Sequence, residues 1–334
     1  MQTNAGGVMP EFTLPPGLRA RPVDVLALGS VLQEQILHLD KWPVPGGQDV
    51  VTVDSVTFSP GGCAMNVATF TGRAGGRAAL LSAIGDGRFG TQAYAELAAA
   101  RVDITYLKQF PGKAGNLIIL LSDPAGDWVS MDAIDPDITF DAGDLPPAGF
   151  FETVKFLHID GFSYLNVCSP ETVWTALQRA RRAGCLISVD GSVPAARSRP
   201  DFMARLFREA DIVFANQAEA CAVTHSDDVD QAAARLLELG PQAAIVKLGA
   251  QGSRVLASNA GLTLPAYPVE VRDTIAAGDA YVAHTLLALC QGLPLMAAAQ
   301  RGSAAGALAC LGHGSLSTHF GLPEVLALIE RSGP

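Results

Sequence analysis

The chain has 334 residues, 49% of them hydrophobic and 17% charged, with a formal net charge of −10. This much apolar material supports a large core; length alone suggests about two domains, although one α/β domain can be this long. The acidic balance argues against sequence-independent nucleic-acid binding, which needs Lys and Arg to neutralise phosphates. It leaves room for a small anionic ligand held by backbone N–H groups and a helix N-terminus.

Residues 1–22 end in Pro15-Pro16-Gly17-Leu18-Arg19-Ala20-Arg21-Pro22 and contain no uninterrupted apolar signal core, so they are expected to form a flexible leader to a domain over 23–334. The first strand is predicted at Val23–Leu28 and the next at Ala78–Ile84, with a turn and helix over Gly62–Gly72 between them. Strand, helix, strand is a parallel βαβ unit. The alternation returns downstream. Val154–Ile159, Leu186–Val189, Ile212–Phe214 and Ala244–Leu248 have the length of buried strands, and Pro170–Ala183, Asp201–Glu209 and Val229–Leu239 the period of helices. The expected fold is an open, mostly parallel sheet covered by helices, with ligands beyond the carboxyl ends of the strands. Two stretches break the rhythm. Gln33–Leu39 with Val50–Phe58, and Asn116–Leu121 with Asp127–Ala133, read as β pairs, either an edge meander or a small separate sheet acting as a lid over about 33–58 and 115–133.

Six scattered cysteines without Cys-x-x-Cys or zinc spacing read as reduced thiols, which points to the cytoplasm. The stretch from Ala280 to Cys290 is too short to span a membrane.

Four segments could carry chemistry. In Asp273-Thr274-Ile275-Ala276-Ala277-Gly278-Asp279, small residues lead into a long apolar helix. The backbone of Ala276, Ala277 and Gly278 can approach a ligand closely, and N–H groups at a helix start form an anion hole. Asp279 in the first turn could accept a proton from an attacking hydroxyl or could simply charge the helix end. Gly61-Gly62 precede a helix carrying Asn66, whose amide offers a donor and an acceptor to a sugar hydroxyl. Asn216 and Glu219 share one helical face after a strand, where they could hold waters of Mg²⁺ or cap a helix. Lys247-Leu248-Gly249-Ala250-Gln251-Gly252 fits both packing against a nucleotide and a plain hairpin. Asp190 ends a strand on the same edge. His158 with Asp160 read mainly as strand-end packing and turn formation, and His284 as a core residue.

In this order the four segments resemble the ribokinase-like (phosphofructokinase-B type) carbohydrate kinases, from about Asp24 onward. Asp273–Asp279 matches the family's carboxyl-terminal signature, Gly61-Gly62 with Asn66 its amino-terminal signature, and Asn216-x-x-Glu219 its metal and phosphate motif. The resemblance implies an α/β sheet with a small β lid. It implies transfer of the γ-phosphoryl group of ATP to a hydroxyl of a sugar or sugar derivative, with Asp279 as base and the 276–278 backbone as anion hole. Glu34, Gly61, Gly62, Asn66 and Asp279 would meet the acceptor, and Asn216, Lys247, Gly249 and Gly252 the nucleotide. Glu219 and Asn216 would organise Mg²⁺ through water, K⁺ would sit near Asp273 and Ile275, and a homodimer would form through the lid. Two departures concern the acceptor: Leu32 and Glu34 stand where the family commonly has Asn and Asp, and Cys63 follows the two glycines where ribokinases proper tend to have Lys. A nucleoside kinase of the same family, and a non-catalytic sensor on a kinase fold, are the competing readings. Gly-x-x-x-x-Gly-Lys-Ser/Thr is absent, and no Gly-x-Gly-x-x-Gly follows the first strand.

Overall fold

The computed structural model describes residues 9, 11–44, 46, 50–122, 128–257 and 260–332. The strands are β1 (Val23–Leu28), β2 (Leu32–Leu39), β3 (Val53–Gly61), β4 (Ala78–Gly85), β5 (Leu107–Phe110), β6 (Leu117–Ser122) and β7 (Trp128–Ala133), then β8 (Val154–Ile159), β9 (Leu186–Asp190), β10 (Ile212–Asn216), β11 (Ala243–Lys247), β12 (Ser253–Ala257) and β13 (Ala260–Leu264). The helices are α1 (Cys63–Arg73), α2 (Arg88–Ala99), α3 (Ala148–Phe151), α4 (Ser163–Asn166), α5 (Pro170–Arg182) and α6 (Val193–Ser198), then α7 (Pro200–Glu209), α8 (Gln217–Thr224), α9 (Val229–Glu238), α10 (Ala277–Cys290), α11 (Leu295–Ala309) and α12 (Leu322–Ser332).

The large sheet has nine strands in the order β13-β12-β11-β10-β9-β8-β1-β4-β5. It is parallel from β11 to β5, and the β11-β12-β13 end is antiparallel. Strand alternation sorts the core into two layers. Val25 and Ala27 of β1 pack on one face with α1, α10 and α11, while Leu26 and Leu28 pack on the other with α5, α7 and α9. The chain runs from β1 to β4 on one side and returns to β8 on the other, so a crevice opens where the strand order reverses. The carboxyl ends of β8, β9, β10 and β11 line up along it.

The two expected β pairs form a second sheet of four strands, β3-β2-β6-β7. β2 with β3 and β6 with β7 are antiparallel, and a parallel β2–β6 pairing joins them. This sheet leaves the large one through Gly29-Ser30-Val31 and returns through Gly61-Gly62 into α1. Asp127 of the expected fourth strand lies outside the described residues, as do residues 1–8 and 10 of the expected leader. Over residues 11–22 the leader expectation is corrected. Phe12, Leu14 and Leu18 are buried in the core, and Arg21 donates to the Val154 and Ala183 carbonyls at 2.7 and 2.6 Å. Three apolar side chains removed from water contribute on the order of 5 kcal/mol, enough to hold this segment.

Among the described residues, no helix is long and apolar enough to cross a membrane. The most apolar, α10, is buried all round from Asp279 to Cys290 because it lies between α1 and α11.

Candidate active site

A cavity of about 730 Å³ runs along the carboxyl ends of the large sheet. Asp190, Asn216 and Lys247 at strand ends line it, with Glu219 on α8 and Ala276–Asp279 at the start of α10. Tyr267, Pro268 and Val269, with Ser303 and Ala307 of α11 and Cys310 just after it, form an apolar part of its wall.

The start of α10 is built for close approach. Ala276 has a φ of 59°, a left-handed conformation that costs a non-glycine residue about 1–2 kcal/mol. It turns the chain so that the first-turn N–H groups point along the helix axis. The Ala277 N–H is occupied by the Thr274 carbonyl at 3.2 Å, whereas the amides of Ala276, Gly278 and Asp279 have no acceptor among the described residues. Of the expected 276–278 amides, Ala277 is spent on the turn, while the Asp279 amide is free beside those of Ala276 and Gly278. A Cβ on Gly278 would lie 3.1 Å from Lys247 Nζ, so the ammonium sits directly beside these amides.

Asp279 is buried, and its Oδ2 accepts from Asn66 Nδ2 at 2.8 Å. Burial pushes its carboxyl up to about 7; the Asn66 hydrogen bond and Lys247 oppose the rise, and the nearby Asp190 and Asp160 add to it. A carboxylate poised there can take up a proton near neutral pH. Asn66 Oδ1 is buried and has no partner, which leaves an acceptor facing the same region.

Lys247 Nζ donates to both Asp190 oxygens at 3.0 and 2.8 Å. Burial opposes its charge, but Asp190, Glu219 and Asp279 outweigh this and hold the ammonium above its ordinary pKa. Asn216 and Glu219 form a reciprocal capping box on α8: Asn216 Oδ1 accepts from the Glu219 amide at 2.9 Å and Glu219 Oε2 from the Asn216 amide at 2.7 Å. Both also line the cavity, so the capping and ligand roles are compatible. Burial and the neighbouring Asp190 raise the Glu219 carboxyl. Gly249 and Gly252 lie in the β11–β12 hairpin and line the cavity too.

Gly61 and Gly62 owe their identity to close packing. A Cβ on Gly61 would fall 2.1 Å from Glu34 Oε1. Gly62 has a φ of 99°, and its Cβ would meet the Ser30 carbonyl at 2.5 Å. Glu34 accepts from the Gly62 amide at 3.3 Å and, through a short bond, from the Ser315 hydroxyl. Burial raises its carboxyl to about 7 against these bonds. Glu34, Gly61, Gly62 and Asn66 do not line the cavity itself; they stand next to it, through Cys63 and Asp279, which do. Asp273 Oδ1 accepts from the Ile275 amide at 3.0 Å and Oδ2 from the Gly314 amide at 2.9 Å, which shapes the loop before α10.

Asp160 is the joint of the crevice. Its Oδ2 accepts from the amide and hydroxyl of Ser30 at 2.8 and 2.9 Å and from the Ala64 amide at 3.0 Å. It thereby pins the end of β1 to the start of α1. His158 faces Ser188 Oγ at 3.0 Å inside the sheet, and His284 stacks on Phe320 at 5.8 Å. Burial takes both rings down to about 4, as packing residues. Burial and nearby carboxylates push the Cys63 thiol far up, so it is no nucleophile. Sequence reasoning missed the 267–269 wall, which carries no motif, and the Asp190–Lys247 pair, which needs the strand order.

The pfkB family carbohydrate kinase model matches residues 24–319. A fructokinase of Klebsiella pneumoniae is 29% identical over 70% of this chain and 78% of its own length. A nucleoside kinase of Methanothermobacter thermautotrophicus is 24% identical over 92% and 95%. Among solved structures, adenosine kinase from Sinorhizobium meliloti superposes with a TM-score of 0.80 at 21% identity, covering 93% of this chain and 100% of that one. An E. coli protein described provisionally as a ribokinase II, in complex with ATP and Mg²⁺, superposes at 0.79 and 23% identity over 92% and 99%. The nine-stranded sheet with its smaller four-stranded partner is thus the ribokinase-like fold, and the chain belongs to the pfkB family of carbohydrate kinases, phosphotransferases with an alcohol group as acceptor.

Proposed function

We propose that the chain transfers the γ-phosphoryl group of ATP to a hydroxyl of a sugar or sugar derivative, with Asp279 as the base. The observation that carries this is the pairing of a buried carboxyl at about 7 with unpaired amides on the same helical turn. In the transfer, the acceptor oxygen forms a bond to the γ-phosphorus and loses its proton to Asp279, while the bond to the β-phosphate oxygen breaks and ADP leaves. The amides of Ala276, Gly278 and Asp279, with Lys247 beside them, meet the growing charge. The apolar wall of Tyr267, Pro268 and Ala307 suits a purine ring, and Gly249 and Gly252 leave room along the β11–β12 hairpin.

Mg²⁺ fits beside Glu219 and Asp190; burial and the Asp190 charge raise the Glu219 carboxyl, and a cation would relieve that repulsion. It would neutralise phosphate charge. K⁺ suits the oxygens of the Asp273–Ile275 loop. Asn66, with its free Oδ1, and Glu34 mark the acceptor end, under the small sheet acting as a lid, and a second copy of the chain covers that sheet's outer face. A riboside or nucleoside acceptor is the second reading, favoured by relatives named nucleoside kinase and aminoimidazole riboside kinase.

The test is Asp279→Asn with a saturating acceptor found by screening sugars and nucleosides for ATP consumption. Loss of a general base costs about 10²–10⁴-fold in rate. The fall should lie in kcat, with ATP affinity and thermal stability little changed. Turnover within a few-fold of the parent would remove Asp279 from the chemistry, because Asn serves a helix end equally well.

A further inference from the structure

His38, Asp273 and His313 each present a ligand atom within 4.8 Å of the others. They come from three places in the sequence: strand β2 of the small sheet, the loop before α10, and the turn after α11. Nothing in phosphoryl transfer uses the two histidines, and none of the three residues lines the cavity.

His38 is prepared as a ligand. Its Nδ1 lies 2.7 Å from Ser122 Oγ, its register partner on β6, while its Nε2 is buried with no hydrogen-bond partner. When Nδ1 carries the proton, its N–H donates to the Ser122 Oγ and the Nε2 lone pair is free. This is the arrangement that orients metal-binding histidines. The two imidazoles are edge to face with centroids 5.2 Å apart. His313 is exposed, so its ring can rotate inward and a metal can reach the site from solvent. Asp273 accepts two backbone N–H bonds, from Ile275 and Gly314, and keeps lone pairs for a cation, since a carboxylate has about four. The Gly314 bond also holds His313 next to the carboxylate.

We propose that these three side chains form a transition-metal site that takes Zn²⁺, with water completing the tetrahedron. Zinc accepts imidazole nitrogen and carboxylate oxygen at about 2.0–2.2 Å, which puts donors about 3.3 Å apart, so the side chains would close in on the ion from their present spacing within 4.8 Å. Two imidazoles select against Mg²⁺ and K⁺, which take oxygen ligands. The site shares Asp273 with the K⁺ of the kinase reading but differs from it in its imidazoles, and it does not depend on that reading. Its place gives it a consequence. A Cβ on Gly314 would touch Thr57, Ile36 and Ser59 at 3.2–3.5 Å, so the turn after α11 packs under the small sheet. Zinc would tie that sheet to the large domain at this seam.

The assignment is tested by titrating the full chain, without nucleotide and in sodium buffer, with Zn²⁺ alone. Calorimetry and thermal unfolding should show about one zinc per chain, with the melting temperature rising by about 3 °C or more at a hundredfold excess over Kd. His313→Ala, at an exposed position that should fold normally, and His38→Gln should each weaken binding at least about tenfold. Co²⁺ in place of zinc should give a nitrogen and oxygen spectrum without a thiolate charge-transfer band. Absence of saturable binding, binding unchanged in both variants, or a thiolate band would overturn the site. An inactive kinase that still binds zinc in this pattern would separate failure of the proposed reaction from failure of this site.

Discussion

Asp279 and Asn66 are a pair whose energetics reach the pH profile. The Asn66 amide donates to the ionised carboxylate, so it favours the charged form and holds the pKa below what burial alone would give. Base catalysis needs Asp279 deprotonated. The kcat/KM of the parent should therefore rise with pH through about 7 and level off above it. Asn66→Ala removes the donor, so the same limb should move to higher pH, alongside weaker acceptor binding. Measurement of kcat/KM from pH 5 to 9 in both proteins checks this; an unmoved limb would detach Asn66 from the base. Both residues were legible in the sequence because each sits in a short motif at a helix start. The link between them was not, since 213 residues separate them and only the packing of α1 on α10 brings them together. Lys247 and Asp190 show the same limit. Each was noticed at a strand end, but their ion pair needs β9, β10 and β11 to be neighbours in parallel register, with Phe214 opposite Asp190 and Asn216 opposite Lys247. Glu34 was expected only to meet the acceptor. Its bond to Ser315 spans 281 residues and lies beyond any local pattern.

The junction between β3 and α1 joins the two sheets; a carboxylate sets Gly61, and a left-handed φ and the Ser30 carbonyl set Gly62. Without a side chain, Gly61 leaves space for Glu34 Oε1, which in turn accepts the Gly62 amide. Gly61→Ala should cost roughly 2–4 kcal/mol, because a Cβ 2.1 Å from the Glu34 oxygen would push the buried carboxylate off its bonds to Ser315 and the Gly62 amide. In a Glu34→Ala background the clash is gone, so the same substitution should cost at least about 1 kcal/mol less. Chemical denaturation of the four proteins measures the coupling; additive losses would show that Gly61 is needed for its backbone alone. The α10–α11 contact follows the same logic, since a Cβ on Gly302 would strike Thr285 Oγ1 at 2.2 Å. Among elements, β1, β4 and β8 were readable because a buried parallel strand is a continuous apolar run bounded by turns, and α5, α7 and α9 because their apolar residues recur at the helical period. Helix α2 and strand β5 were not: α2 buries only Phe89, Gly90, Ala93 and Leu97, and β5 has four residues of mixed character. Helix α11 begins at Leu295, directly after Pro294.

At the scale of the molecule, the four-stranded sheet has two unlike faces. Register places Glu34, Ile36 and His38 of β2 with Thr57 and Ser59 of β3 and Ile118 of β6 on the side toward the large domain. The opposite side carries Val56, Phe58, Ile119, Leu121, Val129 and Met131. Phe58 is 57% exposed there and Val56, Val129 and Met131 47% each. A contiguous apolar sheet face of this kind is unusual on a monomer and marks a contact surface. The face is flat and mainly uncharged, so a copy of itself can pack against it sheet to sheet across a twofold axis, the commonest closed arrangement of identical subunits. Such a contact would hold both small sheets firmly while each remains attached to its own large domain through the segments after β1, before α1, before β6 and after β7. Phe58→Asp would place a charge in the centre of that contact without touching the core or the cavity. A buried unpaired charge costs several kcal/mol per subunit, which weakens association by at least about a hundredfold. Sedimentation at micromolar concentration should find the parent as a dimer and Phe58→Asp as a folded monomer with unchanged ATP binding. A parent that sediments as a monomer at that concentration, or a variant that stays dimeric, would move the contact elsewhere or abolish it.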